Sequence, residues 1–167
     1  AEITASTLPT TSLSPLTYRA LDFYGNATSF VELPLQTRFS LAGDWTIEAW
    51  IRPDAEPTTM DGNSSTIIER TVATGRYNYR LYVEDTDSTT GNVTLQLKAS
   101  FHEAGGNVVI ATSGNTTVAD DATTWTHVRA NFDATAHLLR VFVNNTEAGA
   151  NVSAFMPVSN GKGPVHT

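Results

Sequence analysis

The clearest pattern in the chain is an alternation of period two. From Val93 to Phe101 the odd positions are apolar and the even ones polar, as in a strand with one packed face and one wet face. Leu139, Val141 and Val143 share one face of a second such segment, with Leu138, Arg140 and Phe142 on the other. No stretch carries a sustained apolar stripe at 3.6-residue spacing, so no helix is predicted. Short apolar runs predict strands over 19–23, 29–33, 45–52, 66–70, 78–84, 93–101, 107–112, 125–132 and 138–144. Triplets containing Gly at 24–26, 42–44, 61–63, 90–92, 104–106 and 113–115 predict turns, because Gly and Asn supply positive φ at little steric cost. Many short antiparallel strands at this spacing predict an all-β fold of two sheets packed face to face. Trp50 and Trp125 lie in strand-like segments and read either as ligand platforms or, as expected here, as residues that dominate core burial. His127 is expected to be a hydrogen-bonded strand residue.

Residues 1–17 differ from the remainder, 18–167. They are rich in Thr, Ser and Pro, with Ile3, Leu8, Leu13 and Leu16 spaced along them. Pro9 and Pro15 forbid a helix and favour extended backbone. The segment reads either as a linker or as an extended arm whose apolar residues dock into a groove, on its own domain or on a neighbouring copy.

Composition narrows the class. The 167 residues are one domain's worth. Charged residues make up only 16%; Thr, Ser and Asn supply polarity instead, which suits strands and turns better than helices. A net charge of -7, with 10 scattered basic residues, argues against a nucleic-acid partner. No apolar run reaches the length of a bilayer span, so membrane insertion is not expected. The chain has no cysteine, which excludes disulfides, thiolate metal sites and thiol catalysis. It opens at Ala1, as after cleavage of a signal peptide or in a trimmed chain. Asn-x-Ser/Thr sequons begin at Asn26, Asn63, Asn92, Asn115, Asn144 and Asn151, about twice the number chance provides in so Thr-rich a chain. They point to N-glycosylation and a secreted, extracellular protein.

Three segments, in order, resemble the laminin-G-like branch of the concanavalin A-like lectin/glucanase superfamily. The first is Ala20-Leu21-Asp22-Phe23-Tyr24-Gly25 followed by Phe30-Val31-Glu32-Leu33-Pro34. The second is Trp45-Thr46-Ile47-Glu48-Ala49-Trp50-Ile51-Arg52-Pro53. The third is Trp125-Thr126-His127-Val128 through Asp133, then Leu139-Arg140-Val141-Phe142-Val143-Asn144-Asn145. The resemblance covers roughly 18–148 and implies a jelly-roll sandwich. It also implies further strands after Asn145, whose motif is not found in 146–167, so a jelly roll lacking its terminal strand is expected. An incomplete sheet exposes an edge, and residues 1–17 have the character of an arm that fills one, in cis or head to tail between copies.

Glycosidases of this superfamily use paired carboxylates on one strand. The nearest stretch, Glu84-Asp85-Thr86-Asp87, lacks the second Glu, and the chain is not expected to be an enzyme. Calcium remains a candidate cofactor, with Asp61, Asp85, Asp87 and above all Asp120 and Asp121 as loop oxygens. Tyr77 and Tyr79 are either fillers of a strand face or a sugar-stacking platform. Two functions follow: a structural subunit of an extracellular fibre or surface assembly whose partners are copies of itself, or a carbohydrate- or matrix-binding adhesion module whose partners are extracellular glycans.

Overall fold

The computed structural model describes residues 30–33, 36–53, 64–86, 94–159 and 165–166. They form ten strands and one short 3-10 turn, Thr37–Phe39. The strands are β1 Glu32–Leu33, β2 Trp45–Ile51, β3 Ser64–Ala73, β4 Arg76–Asp85, β5 Leu95–His102, β6 Val108–Val118, β7 Thr126–Asp133, β8 Leu138–Val143, β9 Thr146–Val152 and β10 Val165–His166. They build a six-stranded sheet in the order β1-β10-β3-β4-β5-β6 and a four-stranded sheet in the order β2-β7-β8-β9. Every pairing is antiparallel. This is the expected all-β jelly-roll sandwich. Among the described residues, no helix is long and apolar enough to cross a membrane.

Alternation places the core. Leu95, Leu97, Ala99 and Phe101 of β5 pack against Leu139, Val141 and Val143 of β8 and Val128, Ala130 and Phe132 of β7, all buried. Phe132 is the centre of an aromatic cluster, stacked on Trp45 at 6.0 Å and edge-on to Phe101 at 5.0 Å. Such paired rings add stabilisation beyond their buried area. The sandwich is closed along one side where β9 meets β6. There Gly149 sits so close to Thr112 that an added Cβ would lie 1.8 Å from the Thr112 carbonyl oxygen. Beside it, Asn151 donates its side-chain amide to the Ile110 carbonyl at 2.7 Å.

Turn chemistry joins the strands. Asn144 and Asn145 both have positive φ, 49° and 65°, the requirement of a two-residue hairpin between β8 and β9. Buried Asn78 on β4 accepts a hydrogen bond from the Leu41 amide and donates to the carbonyls of Leu41 and Val158. It pins two irregular segments beside the sheet and satisfies their backbone.

Three expectations are corrected. The chain after Asn145 is not without strands: it forms β9 and then β10, which lies between β1 and β3. Polar Thr146-Glu147-Ala148-Gly149-Ala150-Asn151-Val152 lacks an apolar alternation because one of its faces is wet and the other needs the small Gly149. The triplet at 113–115 does not end a strand. β6 runs through it, and Gly114, at φ 56°, makes an irregularity in which Ser113 Oγ accepts the Leu97 amide at 3.0 Å. Trp50 and Trp125, expected in the core, are both exposed, because each lies in phase with the outward-facing residues of its strand. The segments at 19–23, 24–26, 61–63 and 90–92 lie outside the described residues.

Candidate functional site

The outer face of the four-stranded sheet follows from a single parity. In β2 the apolar set Trp45, Ile47, Ala49 and Ile51 turns inward. Trp50 therefore shares the outer face with Thr46, Glu48 and Arg52. In β7, Val128, Ala130 and Phe132 turn inward, so His127, Arg129 and Asn131 turn outward. The register sets Trp50 opposite His127 and Glu48 opposite Arg129. The Trp50 and His127 rings lie 5.1 Å apart, tilted by 47°. Trp50 is 63% exposed. Trp125, just before β7, is 44% exposed, and the Arg52 guanidinium carbon lies 5.4 Å from its ring centroid. Trp50 and Trp125 are thus surface residues, and Trp45 takes the core position. A side chain five residues along a strand from an inward one must point outward.

Polar groups surround these rings. The His127 ring is largely buried, with Nε2 3.5 Å from a Glu48 carboxylate oxygen and Nδ1 without a hydrogen-bond partner. The His127 amide donates to Asn144 Oδ1 at 3.1 Å, and the Asn144 amide donates to the His127 carbonyl at 2.8 Å. Further along the face, the Arg129 guanidinium carbon lies 4.0 Å from the Phe142 ring centroid, and Arg140 pairs with Glu147 at 3.6 Å. Asn131 donates to the Trp45 carbonyl and to Thr46 Oγ1, both at 3.2 Å. An exposed indole ringed by amide, carboxylate and guanidinium groups can stack on the C–H face of a flat ligand ring and hydrogen-bond its hydroxyls. Glu48 stands two residues from Trp50 on the same face, with its carboxylate against His127.

The structure distributes the sequence candidates elsewhere. Tyr79 is buried against Trp45, with ring centroids 6.3 Å apart, and burial raises its phenol pKa despite nearby Arg70. Its ring faces are closed to a sugar. Tyr77 is half-buried, edge-on to His102 at 4.4 Å. Asp121 accepts the amides of Thr123 and Thr124 at 2.8 and 2.7 Å and the Thr124 hydroxyl at 2.6 Å. These bonds, the Thr124 hydroxyl first, hold its carboxyl far below the usual range. Asp120 and Asp121 gather no third ligand: among the described residues no group of three His, Cys, Asp or Glu could hold a metal ion. Asp85 is buried and accepts the Thr94 amide at 3.3 Å. Of the sequon residues, Asn115, Asn144 and Asn151 are exposed. Asn26, Asn63, Asn92, Asp61, Asp87 and the arm residues Ile3, Leu8, Leu13 and Leu16 lie outside the described residues. The residues missed in the sequence, Trp50, Trp125 and Arg52, carried a usable signal. Each is in phase with the polar members of its strand.

No curated protein sequence matches the chain. In structure it resembles the native heptameric SAP-like pentraxin from Limulus polyphemus, with a TM-score of 0.51 and 13% identity over 81% of this chain and 53% of that one. It also resembles the CBM40 of Ruminococcus gnavus IT-sialidase bound to alpha2,3 sialyllactose, with a TM-score of 0.50 and 11% identity over 82% of this chain and 76% of that one. The chain spans about half the length of the pentraxin. These likenesses concern the fold. The family model described as concanavalin A-like lectin/glucanases superfamily matches residues 25–166, nearly the whole sandwich. The chain belongs to the concanavalin A-like lectin/glucanase superfamily, in its laminin-G-like branch.

Proposed function

We propose that this domain is a non-catalytic carbohydrate-binding module of an extracellular glycoprotein, holding its glycan on Trp50 and Trp125 at the outer face of the four-stranded sheet. The observation that carries this reading is the 63% exposure of Trp50. A large indole left in water beside a second exposed tryptophan is unfavourable for an isolated domain and marks a binding surface. Sugars suit it, because a pyranose presents an apolar C–H face to the ring while its hydroxyls meet the groups around the rim, here Glu48 and Arg52. The CBM40 of similar fold holds sialyllactose, which supports the ligand class without locating the site. The extracellular assignment rests on the sequons, three of which fall at exposed positions. The fibre-subunit reading depends on residues 1–17, which lie outside the described residues.

The test is a glycan array probed with the wild-type chain and with Trp50→Ala. Glycans bound by the wild type and lost in the variant, with the far-ultraviolet spectrum unchanged, are expected. Binding that persists in Trp50→Ala, Trp125→Ala and the double variant would overturn the site.

A further inference from the structure

The charges around the two tryptophans specify the ligand further. Arg52 is exposed, and its one described contact is the Trp125 ring. Arg129, two residues beyond His127 on the same face, lies on the Phe142 ring, and its Nε has no hydrogen-bond partner. Neither guanidinium is paired with a carboxylate among the described residues. Glu48 stands opposite Arg129 in register, yet its carboxylate lies against His127. Elsewhere on this face Arg140 is neutralised by Glu147. Among the described residues, Arg52 and Arg129 thus flank Trp50 without an ion-paired carboxylate, and Glu48 is the acidic group between them, in a protein whose net charge is -7. In an acidic chain, a local positive field of this kind must be met by the ligand or by bulk counterions, and it draws an anionic ligand toward the site.

We infer that the Trp50–Trp125 site selects acidic glycans, those bearing a carboxylate or sulfate, over their neutral counterparts. This rests on the carbohydrate-binding reading above and deepens it. Trp50 supplies the stacking face for one sugar ring. Arg52, held in place over Trp125, offers its planar donor fork to the carboxylate or sulfate of that ring or the next. Arg129 adds a second positive charge on the opposite flank. Trp50 and Trp125 are diagonal cross-strand neighbours, a spacing of about 7–8 Å that accommodates consecutive sugar residues.

The experiment compares matched pairs of oligosaccharides that differ only in charge: a uronate and its methyl ester, a sialylated glycan and its desialylated form, a sulfated glycan and its desulfated form. Binding of each is followed by tryptophan fluorescence on the full chain. At least one acidic member is expected to bind about tenfold or more tighter than its neutral partner, the scale of one charge-assisted hydrogen bond. That preference should shrink several-fold when salt is raised from about 0.05 to 0.5 M, through screening of an exposed pair, and it should disappear in Arg52→Gln. Arg52 is exposed at the end of β2, and the salt series on the wild-type chain gives the same answer if the variant misfolds. Equal or tighter binding of the neutral partners, with no salt dependence, overturns this inference and leaves the carbohydrate-binding reading standing. No binding of any member overturns both. Quenching that tracks protein concentration instead of ligand, with a rise in molar mass, assigns the face to a second copy and also overturns it.

Discussion

Ser153 donates its hydroxyl to a carboxylate oxygen of Glu103 at 2.6 Å, across 50 positions of sequence, and both residues are buried. The same oxygen accepts the amides of Ala154 and Phe155 at 2.9 and 3.2 Å, and the other accepts the Asn107 side chain at 3.2 Å. One carboxylate therefore organises the turn after β9 and the hairpin between β5 and β6. The Ser153 hydrogen bond, outweighing burial, holds the Glu103 carboxyl below its usual range.

Acid should loosen the fold in two stages. Burial, with Arg76 nearby, lowers the His102 pKa below its ordinary 6.5. Its Nδ1 accepts the Tyr77 amide at 3.2 Å, which an unprotonated nitrogen alone can do. A depressed histidine contributes stability that is full above 6.5 and is lost as pH falls through the folded value. Glu103 behaves likewise below its ordinary 4.5. Urea denaturation between pH 7 and pH 3 is expected to show falling stability along both limbs. Glu103→Gln should lower stability by about 1–3 kcal/mol at neutral pH, having unsettled a buried charged hydrogen-bond network, and should flatten the lower limb. An unchanged pH profile in that variant would exclude this role.

Gly149→Ala should be among the most damaging single substitutions in the sandwich. Its new methyl would meet the Thr112 backbone at 1.8 Å, and backbone cannot swing aside as a flexible side chain can. A loss of at least about 3 kcal/mol is expected, above the ordinary range for overpacking. Thermal unfolding would measure it; a wild-type midpoint would show that β9 does not press on β6 so closely.

Two tryptophans five residues apart should respond in opposite ways. Trp45→Ala removes a buried ring stacked on Phe132 and is expected to cost about 3–5 kcal/mol. Trp50→Ala should change stability by no more than about 0.5 kcal/mol while abolishing glycan binding. Chemical denaturation and the array separate the two effects. Similar destabilisation by both would place Trp50 in packing, against its exposure.

Calcium removal should leave glycan binding unchanged. The Asp121 oxygens are committed to Thr123 and Thr124, and among the described residues no group of three His, Cys, Asp or Glu could hold a hard cation. Titration with and without a chelator checks this. A chelator-sensitive affinity would move the site to the acidic loops.

The two-sheet fold was legible in the chain because β5, β7 and β8 alternate cleanly. Burying one face of a strand forces a period of two, and Leu95, Leu97, Ala99 and Phe101 declare it without any partner in view. β9 was not legible, because its place is set by the β6 backbone pressing on Gly149 and not by an apolar face of its own. Nor was β10, whose two residues gain strand geometry by lying between β1 and β3.

The candidate site divides in the same way. The parity that turns Trp50 outward is written in β2, where Thr46, Glu48 and Arg52 keep it company; a bias toward burying tryptophan concealed it. The sequence by itself determined β5, β7 and β8, their inner faces and the superfamily, since these depend on local alternation and short motifs. Only the tertiary structure decided that Trp50 meets His127, that Arg52 covers Trp125 and that Glu103 holds Ser153. Each of these joins positions on different strands, and cross-strand register is a property of the folded sheet, fixed by the packing of every strand together.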